Sequence, residues 1–168
     1  SLPMPGGGGP QGLAVAPDGE RLYVVDGSDS GAVVVFDLTG AAPPQSVRVG
    51  RQPQRIRLSP DGSLAFIANF GANNISVMDT RTNTLSAALN ADRPADMAVS
   101  GNGNFLYVVS AGTLGRVAEI SIATLQETRS WEVGDTPTGA QLLPGGQALL
   151  VTNSNSAFVS LIDLVFGR

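Results

Sequence analysis

The sequence predicts an all-β fold, a β-propeller of four blades with four antiparallel strands each. Two observations predict it. A proline opens each copy of one repeated pattern, at Pro10, Pro53, Pro94 and Pro137, so that successive copies lie 43, 41 and 43 residues apart. This spacing matches the roughly 40–45 residues of a four-stranded blade. Within each copy, short apolar runs are separated by turn signals, and one blade cannot bury its faces without a neighbour.

The first two strands of each copy, A and B, are predicted from an alternating run and the tight turn that follows it. Strand A is expected at Leu13–Ala16, Ile56–Ser59, Met97–Ser100 and Ala140–Leu143. The next turns hold Asp-Gly, Asn-Gly or Gly-Gly pairs, which are strong hairpin signals. Strand B is expected at Leu22–Val25, Ala65–Ala68, Leu106–Val109 and Leu149–Thr152.

The outer strands, C and D, complete three of the four copies. Strand C is expected at Val33–Asp37, Ile75–Asp79, Val117–Ser121 and Val159–Asp163, and strand D near Gln45–Gly50, Thr84–Leu89 and Thr128–Val133. The fourth copy stops after strand C. Residues 1–6, from this chain or from another copy, are predicted to supply its missing outer strand, since an open edge invites aggregation. Pro3 and Pro5 are tolerated only at such an edge.

The predicted domain organisation is simple. Residues 1–9 form an outer strand and a glycine-rich linker, and residues 10–168 form one domain of four blades, at about 10–52, 53–93, 94–136 and 137–168. The chain begins at Ser1 rather than at a methionine. This start indicates a processed product or an excerpt of a longer protein.

Composition excludes several classes of function. The net charge is −4, which disfavours the basic surface that nucleic acid needs. No apolar run reaches the roughly 18 residues of a membrane span, so no membrane insertion is expected. The chain has no Cys, no His and no Lys. Nucleophile pairs with His, lysine Schiff bases and His-ligated metal sites are therefore excluded, and no cofactor or metal is predicted.

A family resemblance rests on the repeated strands. The runs Leu106–Val109 and Leu149–Asn153, with the proline opening, the Pro-Asp-Gly turn and the Ile-Asp end of strand C, resemble the YVTN-type β-propeller repeat, a relative of NHL and WD40-like blades. The resemblance spans nearly the whole chain. It implies a bacterial or archaeal protein of the periplasm or the cell surface, but it implies no single activity, because the family includes adhesion proteins and distant enzymes.

The best candidate site lies on strand A, which faces the central channel of a propeller. Arg55 and Arg57 replace the small residues of the repeat, and Asp96 and Gln141 stand at equivalent positions of blades three and four. Arginine presents a planar donor fork, so these residues predict an anion or carboxylate site. The alternative is structural, an Arg55–Asp96 pair between blades.

Three other segments have weaker patterns. Asp26–Gly31 partly matches a calcium loop, but such loops normally end in a bidentate Glu and the expected position holds Asp37, so a plain turn is favoured. Pro5–Pro10 is rich in glycine but lacks the Lys of a phosphate loop. Phe70 lies between Asn69 and Gly71 in a predicted turn, and an exposed aromatic there is a candidate anchor for a partner.

Two functions remain as expectations. The first is a non-catalytic binding or scaffold module, exported or on the cell surface, that holds a protein or glycan partner through its loops and channel mouth. The alternative is a fragment or subunit of a propeller enzyme, lactonase-like or amine-dehydrogenase-like. A homodimer that completes an eight-bladed ring competes with a four-bladed monomer, and the oligomeric mass in solution distinguishes the two.

Overall fold

The computed structural model describes residues 1–5, 8–112 and 114–167. These residues form an all-β structure of fifteen strands. Blades one and two comprise β1 (Pro10–Val15), β2 (Arg21–Asp26), β3 (Ala32–Asp37), β4 (Gln45–Arg48), β5 (Pro53–Leu58), β6 (Leu64–Asn69), β7 (Asn74–Asp79) and β8 (Thr84–Asn90). Blades three and four comprise β9 (Pro94–Val99), β10 (Phe105–Ala111), β11 (Gly115–Ser121), β12 (Gln126–Glu132), β13 (Pro137–Leu142), β14 (Ala148–Asn153) and β15 (Val159–Asp163).

The strands form four antiparallel sheets in chain order, which confirms the predicted propeller blades. Three sheets have four strands, β1 to β4, β5 to β8 and β9 to β12, and the fourth has three strands, β13 to β15. Each of the four repeat prolines begins the inner strand of its sheet. An inner edge strand tolerates proline at its start because no ladder hydrogen bond is lost there.

The Cα positions divide the chain into two compact units, Ser1–Asn90 and Ala91–Arg168. Unit 1 holds blades one and two, and unit 2 holds blades three and four. An offset of 84 residues relates them, from Pro10 to Pro94 and from Pro53 to Pro137. The strand register is conserved under this offset, because Tyr23 pairs with Val35 in unit 1 as Tyr107 pairs with Glu119 in unit 2.

Each unit has its core between its two blades. In unit 1 the core contains buried residues from both sheets: Tyr23, Val25, Val33, Val35, Ile56, Ala65, Ile67 and Met78. In unit 2 the corresponding cluster contains Ala98, Tyr107, Val109, Val117, Leu149, Val151, Ile162 and Leu164. Burying one such aliphatic side chain contributes about 1.5–3 kcal/mol, so stacking of neighbouring blades stabilises each unit.

The predicted N-terminal outer strand is not formed by residues 1–5, which lie outside every strand, and Gly6 lies outside the described residues. Pro3 and Pro5 have no backbone N–H to donate to a ladder. Met4 instead packs against the cluster of Val24, Val34 and Phe36 in blade one. The sheet of blade four therefore ends at β15 in the described chain, and a strand supplied by another copy stays a prediction.

The chain divides into two compact units. The prediction that residues 10–168 form one domain therefore stays a prediction. Within the described ranges, no helix has the length and apolarity needed to cross a bilayer.

Candidate functional site

The predicted arginine pair lies on β5, the inner strand of blade two. Ile56 and Leu58 pack into the core of unit 1, so alternation along the strand places Arg55 and Arg57 on the opposite face. Both arginines are half-buried. Nη1 of Arg55 donates to the carbonyl of Gln54 and Nη1 of Arg57 to that of Ile56, each at 3.1 Å. Two guanidinium groups are thus held close to one inner strand.

β1, the inner strand of blade one, comes close to β5 because it has Gly12 beside Gln54 and Arg55. A Cβ atom at Gly12 would lie 2.7 Å from the carbonyl oxygen of Gln54 and 3.3 Å from Cα of Arg55. A larger residue would push β1 away from β5. Gly12 therefore permits the close approach of the two inner strands at the position of Arg55.

In unit 2 the acidic candidate has a structural role. Asp96 on β9 is only 6% exposed, and its Oδ1 accepts a hydrogen bond from the Met97 N–H at 2.8 Å. Its Oδ2 accepts from the Ala140 N–H of β13 at 3.1 Å. Asp96 thus joins the inner strands of blades three and four. In unit 1 the charged Arg55 lies beside Gly12 of the neighbouring inner strand. In unit 2 the 84-residue offset exchanges the two residue types, because Asp96 stands in the place of Gly12 and Gly139 in the place of Arg55.

The four predicted channel residues divide between the units. Arg55 and Arg57 belong to unit 1, while Asp96 and Gln141 belong to unit 2. Gln141 is exposed, and its Nε2 donates to the Leu142 carbonyl at 3.1 Å. The Arg55–Asp96 pair and a ligand site common to all four residues both stay predictions.

Phe70 lies in a turn, as predicted. It begins a single 3₁₀ turn, Phe70–Ala72, and its N–H donates to the Gln52 carbonyl at 3.1 Å. Its side chain is half-buried rather than fully exposed. A role for Phe70 in anchoring a partner stays a prediction.

The carboxylate oxygens of the loop Asp26–Gly31 accept hydrogen bonds from donors of the protein. Oδ1 of Asp26 accepts from the Ser28 N–H at 3.1 Å, and Oδ1 of Asp29 accepts from Nε2 of Gln52 at 2.8 Å. Among the described residues, no group of three His, Cys, Asp or Glu side chains is placed to hold a metal.

A polar network in blade three was not predicted from the sequence. Glu119 on β11 is 2% exposed, and its carboxylate accepts from Nε of Arg129 at 2.9 Å and from Nη2 of Arg129 at 2.6 Å. The Thr128 hydroxyl donates to the same carboxylate at 2.6 Å. Arg129 also donates to the Leu164 carbonyl of blade four at 3.2 Å and lies 5.2 Å from the centre of the Trp131 ring.

The protonation states of this network follow from its contacts. Burial opposes ionisation of Glu119, but hydrogen bonds from Arg129 and Thr128 outweigh it and hold the pKa of that carboxyl below its usual value. Burial, together with the neighbouring Glu119 charge, raises the pKa of Tyr107 to about 12. Glu119 is therefore ionised at neutral pH and Tyr107 is protonated. The sequence signal was a single Glu inside the apolar strand Val117–Ile120.

Cavities lie near the turns of both units. One of about 340 Å³ lies between blades one and two and is lined mainly by polar groups, among them Glu20, Arg21, Asp37 and Asn83. Another of about 490 Å³ lies at the A–B turns of blades three and four and is lined by Val99, Leu142 and glycine-rich turn backbone, without charged side chains. The first presents the convergent polar groups that are typical of a ligand site.

A family model, "Lactonase, 7-bladed beta-propeller", matches residues 3–88, just over half of the chain. The chain belongs to the seven-bladed β-propeller lactonase family. Among curated relatives, this lactonase-family chain is 22% identical over 164 residues to Antigen Lp49 of Leptospira interrogans, covering 86% of this chain and 36% of that protein. It is 30% identical over 115 residues to the seven-bladed β-propeller protein Rv1057 of Mycobacterium tuberculosis, covering 65% and 29%.

Solved structures give the same fold. The lactonase-family chain matches hydrazine synthase of Kuenenia stuttgartiensis with a TM-score of 0.87 and 24% identity, over 95% of this chain and 47% of that one. It matches a candidate 6-phosphogluconolactonase of Bacteroides uniformis with a TM-score of 0.79 and 18% identity, over 100% and 56%. The chain thus spans about a third of these curated relatives and about half of these solved chains.

Proposed function

We propose that this chain is a non-catalytic binding part of a β-propeller and that it holds an anionic group of a protein or glycan partner at β5. One observation carries the proposal: Arg55 and Arg57 are half-buried on the same face of an inner strand. Each guanidinium is positioned by a carbonyl of its own strand. The positive charge of the pair is therefore held in place before any ligand arrives.

The chemistry of arginine favours a carboxylate or sulfate as the bound group. A guanidinium is always charged and presents its N–H groups in a fork that matches two oxygens of an oxyanion. Partial burial strengthens such contacts, because the effective dielectric constant is lower than in water. An anion at β5 would pair with charges that the fold already holds at this strand.

The composition supports binding rather than catalysis. The chain has no His, Cys or Lys, so general bases and nucleophiles of these three residue types are missing from it. The most buried carboxylate among the described residues is that of Glu119, and Arg129 holds it ionised, so it is unsuited to act as a general acid at neutral pH.

A second candidate function is lactone hydrolysis. Membership of the lactonase family supports it, as does the fold shared with a candidate 6-phosphogluconolactonase. In that case the arginines of β5 would bind the carboxylate product of ring opening. Both proposals therefore place the ligand at the same two arginines. Only the lactonase proposal predicts that the chain hydrolyses its ligand.

We further propose an exported or cell-surface location and a YVTN-type repeat. One relative is an antigen by name, which supports exposure to the outside of a cell. Asn69 and Asn153, which end strand B of blades two and four, are buried and donate to serine hydroxyls of strand C at 2.8 and 3.0 Å. A buried Asn that recurs at the end of strand B supports the resemblance to the YVTN-type repeat. A homodimer that completes an eight-bladed ring is also a proposal, to be tested by the oligomeric mass in solution.

Titration calorimetry with gluconate and with sulfate tests the site. We expect R55A/R57A to lose at least about tenfold in affinity, since a hydrogen bond to a charged group contributes roughly 1.5–3 kcal/mol. R48A, which removes an exposed arginine of β4, is the matched control and should bind like the unchanged protein. Equal binding by R55A/R57A would refute the site. Hydrolysis of glucono-δ-lactone above the buffer rate, lost in R55A/R57A, would favour the second candidate.

A further inference from the structure

The A–B turns of blades three and four border the larger cavity of unit 2, with a volume of about 490 Å³. Its lining includes Val99 and Leu142, which end the inner strands β9 and β13, together with Leu143 and the turn backbone at Gly101 and Gly146. Among the described residues of this lining, none carries a charge. Apolar contacts rather than ion pairs therefore determine what the cavity can bind.

In unit 1 a proline ring occupies the corresponding place. A Cβ atom at Gly62, in the turn of blade two, would lie 2.7 Å from Cδ and 3.1 Å from Cγ of Pro17, in the turn of blade one. The 84-residue offset replaces Pro17 by Gly101 and keeps the glycine as Gly146. In unit 2 a Cβ atom at either glycine would meet no described atom within 4 Å beyond the adjoining residues. The contact that joins the two turns of unit 1 is therefore absent from unit 2.

The turn of blade four departs from the repeat in two further ways. In the other blades a side-chain oxygen of the turn accepts a hydrogen bond from the backbone N–H two residues later, and the accepting residues are Asp18, Asp61 and Asn102. Blade four has Gly145 at this position. Leu143 stands where the other blades have alanine or serine, and it is 38% exposed. Neither residue stabilises the turn, and departures of this kind are expected at functional positions.

The lining favours an uncharged apolar group that comes close to the backbone. Val99, Leu142 and Leu143 present aliphatic surface, and a ligand can approach the turn of blade four closely because Gly145 and Gly146 have no side chains. The turns of unit 1 show that a proline ring fits between two such turns. A proline in an extended peptide also loses little conformational freedom on binding, because its φ is already fixed.

We propose that this cavity of unit 2 docks a proline of an extended partner peptide. The ring would lie between Gly101 and Gly146, as the Pro17 ring lies against Gly62 in unit 1. The proposal goes beyond the anion site of β5, because it gives a protein partner a second contact of different chemistry.

The test is an NMR titration of the ¹⁵N-labelled chain with N-acetyl-Ala-Pro-Ala-amide and, as the matched peptide, N-acetyl-Ala-Ala-Ala-amide. We expect the proline peptide to shift the backbone amide signals of Gly101, Gly145 and Gly146 in a saturable manner. The alanine peptide should bind about tenfold more weakly, since it lacks the two methylene groups that the proline ring adds. Absence of saturable shifts with the proline peptide, or equal affinity for the two peptides, would overturn the proposal.

Gly101→Pro gives unit 2 the ring that unit 1 already has. Gly101 lies outside the left-handed φ region, so no positive φ opposes a proline there. The built-in ring should lower the affinity for the proline peptide at least about tenfold. G101A is the matched control, because a Cβ atom alone meets nothing within 4 Å, and it should bind the peptide as the unchanged chain does. Unchanged affinity in a folded G101P would contradict the proposal.

L143S is a second variant that leaves the backbone as it is. Serine stands at this position in blades two and three, and the loss of aliphatic surface should weaken peptide binding about fivefold. Urea denaturation followed by Trp131 fluorescence shows whether each variant is folded. Unchanged peptide affinity in L143S would also count against the proposal. R55A/R57A should keep peptide binding and G101P should keep gluconate binding, so the two proposals fail separately.

Discussion

The two units are built on the same register but fill the space between their blades differently. In unit 1 the paired residues Val35 and Gln45 line a cavity of about 340 Å³ together with polar groups. In unit 2 the corresponding pair is Glu119 and Arg129, whose hydrogen bonds extend to the next blade. A conserved backbone repeat therefore does not impose a conserved chemistry on the junction between blades.

The comparison shows which groups a buried charge requires. Glu119 is almost completely buried, and its carboxylate receives hydrogen bonds from Arg129 and Thr128. Without such partners a buried carboxylate would be strongly destabilising. Unit 1 avoids this problem with an apolar Val35 and tolerates an unfilled volume.

The largest expected effect comes from breaking the ion pair of unit 2. Arg129→Met keeps the apolar stem of the side chain but removes the guanidinium that lies over Trp131 and leaves Glu119 buried without its cation. Because the Arg129 side chain is 39% exposed, we expect a loss of about 2–4 kcal/mol in the free energy of unfolding, below the upper range for fully buried pairs. Urea denaturation followed by the fluorescence of Trp131, the single Trp of the chain, measures it.

The control for this change lies in the same sheet. Arg116 pairs with Glu127, and both side chains are 43% exposed, so R116M should cost only about 0–1 kcal/mol. Equal losses in R129M and R116M would show that the buried position of Glu119 has no energetic consequence.

A smaller effect is expected when the network is transplanted to unit 1. V35E alone places a carboxylate at a buried position, and Q45R adds the guanidinium at the paired residue. Tyr23 already occupies the place of Tyr107. A double-mutant cycle should therefore give a favourable coupling of about 1–2 kcal/mol.

The matched cycle uses V34E with Q45R. Val34 belongs to the cluster on the opposite face of β3, so its replacement cannot reach residue 45 and the coupling should be close to zero. Similar coupling in the two cycles would contradict the equivalence of the junctions.

The sequence predicted the blades well because their signals are local. Each strand A begins at a repeat proline and ends at a glycine turn, so Pro53 and Gly62 mark their hairpin directly. Alternation also placed Arg55 and Arg57 on one face. The role of Asp96 was not predictable in the same way, because its partner is a backbone N–H of the next blade.

The junctions were missed for a related reason. Glu119 and Arg129 are neighbours only through the register of β11 and β12. The cavity joins Gln45 of one blade to Asn83 of the next. Such sites depend on how blades stack, which neither periodicity nor turn signals specify.

The smallest expected effect is on the pH dependence of the stability of unit 2. The pKa of Glu119 lies below its ordinary value of 4.5 in the folded chain, because hydrogen bonds from Arg129 and Thr128 outweigh the burial that opposes ionisation. Its contribution to stability is therefore complete above about pH 4.5 and is lost as the pH falls through the folded pKa, at no more than about 1.4 kcal/mol per pH unit. Urea midpoints from Trp131 fluorescence between pH 7 and pH 3 should fall more steeply for the unchanged chain than for E119Q.

E127Q serves as the control for this titration, since Glu127 is an exposed carboxylate of the same sheet. The urea midpoint of E127Q should fall with decreasing pH as steeply as that of the unchanged chain. Asp37, Asp61 and Asp79 also have lowered pKa values through hydrogen bonds in their turns, but they are common to all three proteins and cancel in the difference. Tyr107, with a pKa of about 12, remains protonated over this range and cannot contribute. Parallel profiles for the unchanged chain and E119Q would therefore mean that the junction of unit 2 is no more sensitive to acid than the uncharged Val35–Gln45 junction of unit 1.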